Sequence, residues 1–250
     1  MRTFQIKGII ISKRDLGESD RAFKIMTEHE GKLEIIAKNT RNGSSTRNGH
    51  LELFNYATFF LYKSENHTYL NQCQTITEFT RLKSNLETIS TAYYAIEILD
   101  KLTALNDPAE EIFTLLLSFL RELEQNPLKN ETILLAFKTK LLYDMGLLPS
   151  VIICDSCGNK LAPELIYSPR EHKFHCRSCQ INPGFGGTTI SPQAIKLFYF
   201  LQKTHLSNAI KLKTDQTLSQ ASKELTTLLD IYLQENLGKE LKSKTISYNL

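Results

Sequence analysis

Hydrophobic and polar positions repeat with two different periods along this chain, and the change falls near residue 80. Before it, apolar residues gather in five short runs that read as strands: FQIKGIIIS (4–12), RAFKIMT (21–27), KLEIIAK (32–38), LELFNYATFFLYK (51–63) and TYLNQCQTI (68–76). The runs are rich in β-branched and aromatic residues, which is strand composition. DLGESD, EHEG, RNG twice and SENH lie between them and carry turn chemistry. All seven prolines fall after residue 107, so none breaks a sheet ladder in this region. Five strands in so short a stretch predict a small antiparallel barrel.

Beyond residue 80 the period is helical. Ile89, Tyr93, Ile96, Leu99, Leu102 and Leu105 recur at three- and four-residue intervals. A second helix is predicted to start with Asp107 as N-cap, Pro108 at the first position and Glu110 closing a capping box. Its buried face would carry Ile112, Leu115, Leu116, Phe119 and Leu123. A third, over 131–145, stops at Gly146 with Pro149 beyond. Ser191 and Pro192 open another, and a last helix over 215–237 ends near Gly238. The chain therefore reads as an α+β multidomain protein, a β module over 1–80 followed by an all-α domain over 81–250. Within the second, a segment at 150–187 interrupts the helical pattern.

That interruption is where composition alters the picture. Four of the five cysteines form two C-x-x-C pairs, Cys154/Cys157 and Cys176/Cys179, eighteen residues apart. This is the spacing of a tetrahedral zinc site made of four cysteines. Four thiolates close the coordination shell, whereas catalytic zinc keeps a position open for water, so the predicted Zn2+ is one structural ion. A zinc deaminase would need H-x-E beside the pair, and EHKFHC offers Glu171, His172 and His175 in another order. His175 replacing one thiolate is the alternative ligand set. The lone Cys73 on a predicted strand suits a reducing compartment and reads as a small buried residue.

Zinc and four thiolates lower the formal charge of +3 by two, so bulk charge does not argue for nucleic acid. Apolar runs such as GIII and TLLLSFL are too short to span a bilayer, and MRTFQIKG lacks a signal-peptide core, which predicts a cytosolic protein without membrane association. PGFGGTT (183–189) lacks the GK[ST] end of a phosphate loop, and no nucleophile elbow or HExxH occurs. No catalytic residue and no organic cofactor is predicted.

AKNTRNGSSTRNGH (37–50) is more informative. It holds Lys38, Arg41 and Arg47, with amides, hydroxyls and glycines and no acid, which suits phosphate contacts; an ordinary solvated loop is the alternative. In the run 51–63, alternation puts Phe54, Tyr56, Phe60 and Tyr62 on one face and Leu51, Leu53, Ala57, Phe59 and Leu61 on the other. One face should fill the barrel. The other is expected to pack on the helices, with base stacking as the alternative.

The assembled pieces resemble the RecO family of bacterial recombination-repair proteins over essentially the whole chain. GESD (17–20), TEHEGKL (27–33) and AKNTR (37–41) resemble its N-terminal signature. MGLLPSVIICDSCG (145–158), GGTTIS (186–191) and LGKELKS (237–243) resemble the flanks of its cysteine pairs and its C-terminal end. The resemblance implies an N-terminal OB-fold and a non-enzymatic mediator. Such a protein binds single- and double-stranded DNA without sequence preference and anneals complementary strands. With RecR and RecF it loads RecA onto strands covered by single-strand-binding protein, whose C-terminal tail it also docks. Such proteins act in the cytoplasm at the nucleoid. The family's basic residues correspond to Lys38 and Arg41, with Arg47, Lys32 and Arg14 as further candidates. Where the family often has glycine after the lysine and a second basic residue after the arginine, this chain has Asn39 and Asn42. A DNA-processing enzyme and a protein adaptor without DNA affinity are the rival classes.

Overall fold

A computed structural model describes residues 2–41, 49–148, 153–159, 165–168, 171, 173–179, 187–212, 216–237 and 241. The described residues divide into two compact units, one reaching Asn130 and the other running from Glu131 to Leu241.

The first unit is built on five strands, β1 (Arg2–Leu16), β2 (Asp20–Thr27), β3 (Lys32–Ala37), β4 (Tyr56–Lys63) and β5 (Thr68–Thr77). They close in the order β1-β2-β3-β5-β4, the OB-fold arrangement. β1 serves two neighbours. Its first half pairs with β4 and its second half with β2, and a bulge between Ile10 and Ser12 turns it from one to the other. The barrel is closed by a parallel contact between β3 and β5, at Ile36 and Tyr69. Inward residues form one core: Ile10, Phe23, Ile25, Ile35, Leu51, Ala57, Phe59, Leu61 and Leu70, with Phe4 and Ile6 against it.

The run 51–63 divides differently from expectation. Strand geometry starts only at Tyr56, because Phe54 takes a left-handed backbone with φ of 70°. The preceding residues still bond to β1, Phe54 N–H donating to Ile10 O at 2.9 Å. The Leu51/Leu53/Ala57/Phe59/Leu61 face does fill the barrel. The opposite face is shared: Phe54 meets Tyr93 and Tyr56 meets Phe113, while Tyr62 stacks on Tyr69.

Among the described residues, three α-helices and a short 3-10 turn (Pro127–Lys129) complete this unit: α1 (Thr80–Ser84), α2 (Leu86–Leu102) and α3 (Glu110–Gln125). The predicted face of α3 is buried at Ile112, Leu115, Leu116, Phe119 and Leu123. The helix begins at Glu110 rather than Pro108, for a tertiary reason. Residues 105–107 are drawn onto β3, where Asn106 N–H donates to Lys32 O at 2.8 Å and Leu105 bridges Lys32. Leu105 is accordingly outside α2 and 46% exposed. The contact is backbone on backbone. Gly31 has φ of +67°, and a Cβ there would lie 1.8 Å from Asp107 O, so only glycine fits.

A charged knot lies beside that contact. Lys32 Nζ is buried and donates to Asp100 O at 2.5 Å, Asp100 Oδ1 at 2.8 Å and Thr103 O at 2.7 Å. Lys24 Nζ reaches the other oxygen of Asp100 at 2.7 Å. Two barrel strands thereby hold the C-terminal turn of α2, whose exposed carbonyls favour cations.

The second unit contains α4 (Asn130–Asp144), α5 (Pro192–Lys203), α6 (Leu206–Ala209) and α7 (Gln216–Leu237). α4 ends as its sequence predicts. Gly146 has φ of 67°, its N–H donates to Tyr143 O, and Leu147 N–H donates to Leu142 O, the Schellman pattern. Ser191 caps α5, accepting from Ala194 N–H at 3.2 Å. Lys138 on α4 and Asp230 on α7 form an ion pair at 2.6 Å with the lysine fully buried. The cysteine segment is not merely an interruption of helices. It forms a three-stranded sheet in the order β7-β6-β8, from Leu165–Ser168 (β6), Lys173–Cys176 (β7) and Thr188–Ile190 (β8).

Burial pushes the Asp100 carboxyl up, but the hydrogen bonds and charges of Lys24 and Lys32 outweigh it and leave it below the usual carboxylate range. A depressed carboxyl stabilises the fold above the ordinary carboxylate range, and this contribution is lost as pH falls through the lowered value. Asp100→Asn should cost about 3–5 kcal/mol by leaving Lys32 buried without its counter-charge. Chemical denaturation against pH checks both: the variant's deficit should be full at neutral pH and shrink in acid.

Candidate functional site

Among the described residues, two places in the fold gather chemistry-bearing side chains. The first is the cysteine segment. Cys154 precedes a tight turn closed by Gly158 N–H donating to Cys154 O and Cys154 N–H to Asn159 O, both at 2.9 Å. Cys176 ends β7, and Cys179 closes the short 3-10 turn Arg177–Cys179. The two turns are laced together: Asp155 N–H donates to Phe174 O, and Phe174 N–H to the Asp155 carboxylate, at 3.0 Å each.

All four sulfurs lie within 4.8 Å of one another, with Cys157 and Cys176 at 3.9 Å. Tetrahedral zinc–thiolate bonds of about 2.3 Å would place sulfurs roughly 3.8 Å apart. The donor set therefore fits a metal ion. Cys176 N–H points at Cys154 Sγ (3.4 Å), as amides do toward thiolates. The Ser178 hydroxyl brings the Cys176 thiol down to about 6, whereas hydrogen bonds with Cys176 and Cys157 push Cys179 up to about 12. Binding of a dication by such thiols displaces their protons.

His175 lies outside the sulfur cluster. Its Nδ1 meets Ser156 Oγ and its Nε2 meets Glu171, both at 2.8 Å, which braces the first turn against the second. No local motif announces this brace, because its members are near one another only through the hairpin. Tyr167, buried on β6, connects the segment to α7: its ring lies 5.2 Å from Phe174 and 6.1 Å from Tyr232.

The second place is the exit of β3. Lys38 is exposed, with Nζ 4.8 Å from the centroid of the Tyr69 ring. The next residues are held against the β1–β2 turn. Asn39 N–H donates to Asp20 Oδ1 at 2.9 Å and Arg41 N–H to Ser19 O at 3.0 Å. The Arg41 side chain donates to Gly17 O at 2.5 Å and lies 3.6 Å from Asp15, keeping part of its fork toward solvent. Thus GESD and AKNTR, separate in sequence, are one hydrogen-bonded structure. Asn39 has φ of 57°, a left-handed backbone that asparagine tolerates better than most residues.

The other candidates fare differently. Arg14 is exposed and paired with Glu34 at 3.0 Å. Lys32 is corrected: its three N–H groups are spent on Asp100 and Thr103, so it has none for a phosphate. Arg47 lies outside the described residues. Cys73 is buried, and burial pushes its thiol up to about 12, which makes it inert. Tyr69 belongs to no sequence motif; its one signal is its place opposite Tyr62 across β4 and β5.

Comparison with known proteins now gives this arrangement a lineage. The family model described as Recombination protein O N terminal matches residues 1–79, and Recombination protein O C terminal matches residues 83–245. The chain belongs to the recombination protein O family. Among its relatives, the DNA repair protein RecO of Acetivibrio thermocellus is 27% identical over 239 residues, 96% of this chain and 94% of the relative. That of Bacillus pumilus is 29% identical over 238 residues, 95% of this chain and 91% of the relative. A third, from Desulfitobacterium hafniense, is 27% identical and covers 100% of this chain and 91% of its own length. Membership places the chain among DNA repair and recombination proteins, a family of mediators rather than known catalysts. Among the described residues, no helix is long and apolar enough to cross a membrane.

The ligand set is open to a direct check. Cys176→Ser should abolish one-to-one zinc uptake measured by elemental analysis. His175→Ala should keep that stoichiometry while lowering the melting temperature of the metal-loaded chain.

Proposed function

We propose that this chain is a non-enzymatic mediator of DNA recombination and repair. It holds single- and double-stranded DNA without sequence preference and anneals complementary strands. With RecR, and with RecF, it helps load RecA onto strands covered by single-strand-binding protein, whose C-terminal tail it docks. The β module, residues 1–80, carries the DNA; the remainder, 81–250, serves partner docking and holds one structural Zn2+ on Cys154, Cys157, Cys176 and Cys179. The protein works in the cytoplasm at the nucleoid.

The observation that supports this reading best is the exposed Lys38–Arg41 edge of an OB barrel, beside an aromatic ring. OB barrels use their loops and outer strands to follow a nucleic-acid backbone. Annealing then needs no covalent step. Holding two strands together neutralises phosphate repulsion and raises their local concentration.

DNA affinity should fall with salt, and a footprint of about five single-strand phosphates gives a log–log slope of roughly −3.5. Replacing Lys38 and Arg41 by Glu should weaken binding to all sequences alike and flatten the slope by about 1.4. Fluorescence anisotropy with labelled oligonucleotides across a salt series measures both. A salt-independent affinity would sink the electrostatic mechanism, and unchanged binding by the variant would move the site elsewhere. Zinc-edge absorption of the loaded protein should show four sulfur neighbours; an oxygen neighbour would favour the hydrolytic enzyme instead.

A further inference from the structure

The outer face of β1, β4 and β5 is built unlike the rest of the barrel. No aspartate or glutamate occurs in residues 1–14, in β4 or in β5. By contrast, β2, β3 and the last turn of β1 have their cations neutralised by Asp15, Glu34 and Asp100. The cross-strand register turns this composition into rungs. Thr3, Tyr62 and Tyr69 are opposite one another, and the next outward rung is Gln5, Phe60 and Gln72. Thr3, Gln5, Lys7 and Gln72 are exposed, and Phe60, Tyr62 and Tyr69 are half-buried. The two tyrosines stack at 5.2 Å with 17° between their planes, with Lys38 over the second.

Amides and aromatic rings without carboxylates are what unpaired nucleobases need: rings stack on every base, and amides bond to base edges. We infer that this face is a base-stacking platform for single-stranded DNA, with Phe60, Tyr62 and Tyr69 as its surfaces. This deepens the DNA-binding reading above and rests on it. Phosphates of the same strand run toward Lys38 and Lys7, the cations at the two ends of the patch. The acids that border β4 and β5 in sequence, Glu52, Glu65 and Glu78, all lie outside the two strands.

The spacing selects the ligand. Successive outward rungs lie about 6.8 Å apart along a strand, twice the roughly 3.4 Å rise per base of a duplex strand. A duplex keeps its bases inside its own stack and offers this face only backbone. A single strand can splay one base onto each rung. The platform therefore supplies a single-strand increment over a common, charge-driven affinity.

The test compares three ligands of equal length: oligo-dT, an abasic oligomer with the same phosphates, and a duplex. Tyr62→Leu with Tyr69→Leu keeps apolar bulk and removes the π faces. The wild type should bind oligo-dT at least tenfold tighter than the abasic oligomer, a ratio within the usual worth of stacked bases. The variant should lose that ratio and keep its duplex affinity and salt slope. A wild type that binds abasic and dT strands equally overturns the platform while leaving DNA binding intact. A wild type with no affinity for any of the three overturns the underlying reading. Should the variant fail to fold, photocrosslinking of wild type to 5-bromodeoxyuridine strands decides: adducts on β4 and β5 support the platform, and adducts only elsewhere refute it. A variant with unchanged DNA binding that loses a protein partner would reassign the face to protein docking.

Discussion

A single carboxylate, Asp100, sets the geometry of the first unit. It sits at the end of α2, where helix carbonyls already draw cations, and receives ammonium groups from two neighbouring barrel strands. Lys32 is taken almost completely from water to reach it, which is unfavourable unless every donor is satisfied. Here every donor is. The same few residues hold the backbone contact between Gly31 and Asp107 and the hydrogen bond from Asn106. Charge, backbone bonding and close approach thus fix one orientation of helix on barrel. The hydrophobic contacts of Phe54 with Tyr93 and Tyr56 with Phe113 then fill the space so defined.

This knot also explains why some of the molecule is legible in the sequence and some is not. β-Branched and aromatic runs bounded by turn residues locate all five strands, because such side chains fill a barrel and the turns must be polar. Local capping locates the end of α4 and the start of α5. It misplaces the start of α3, since Asp107 and Pro108 are recruited by β3 instead. Lys32 looks like a surface cation because nothing local distinguishes a lysine that will meet Asp100, sixty-eight residues away. Asn39 takes a left-handed backbone that no local pattern announces.

The cysteine pairs are legible for the opposite reason: their meaning lies in spacing. What spacing cannot convey is how the turns are held before any metal arrives. Asp155 and Phe174 exchange hydrogen bonds, and Ser156, His175 and Glu171 form a chain across the hairpin. The small sheet then presents Tyr167 to α7. Coordination chemistry and aromatic packing are therefore joined through β6 and β7. The segment meets α7 through the ring of Tyr167 against that of Tyr232.

The barrel's closure has one more consequence. Four of its seams are antiparallel ladders, but β3 and β5 meet through a single parallel pair, Ile36 with Tyr69. A closed ring opens first where the fewest hydrogen bonds must be given up. Lys38 and the ring of Tyr69 flank that gap. A ligand that bridges them is a latch across the weakest seam, and its binding energy is added to the mechanical integrity of the whole cylinder.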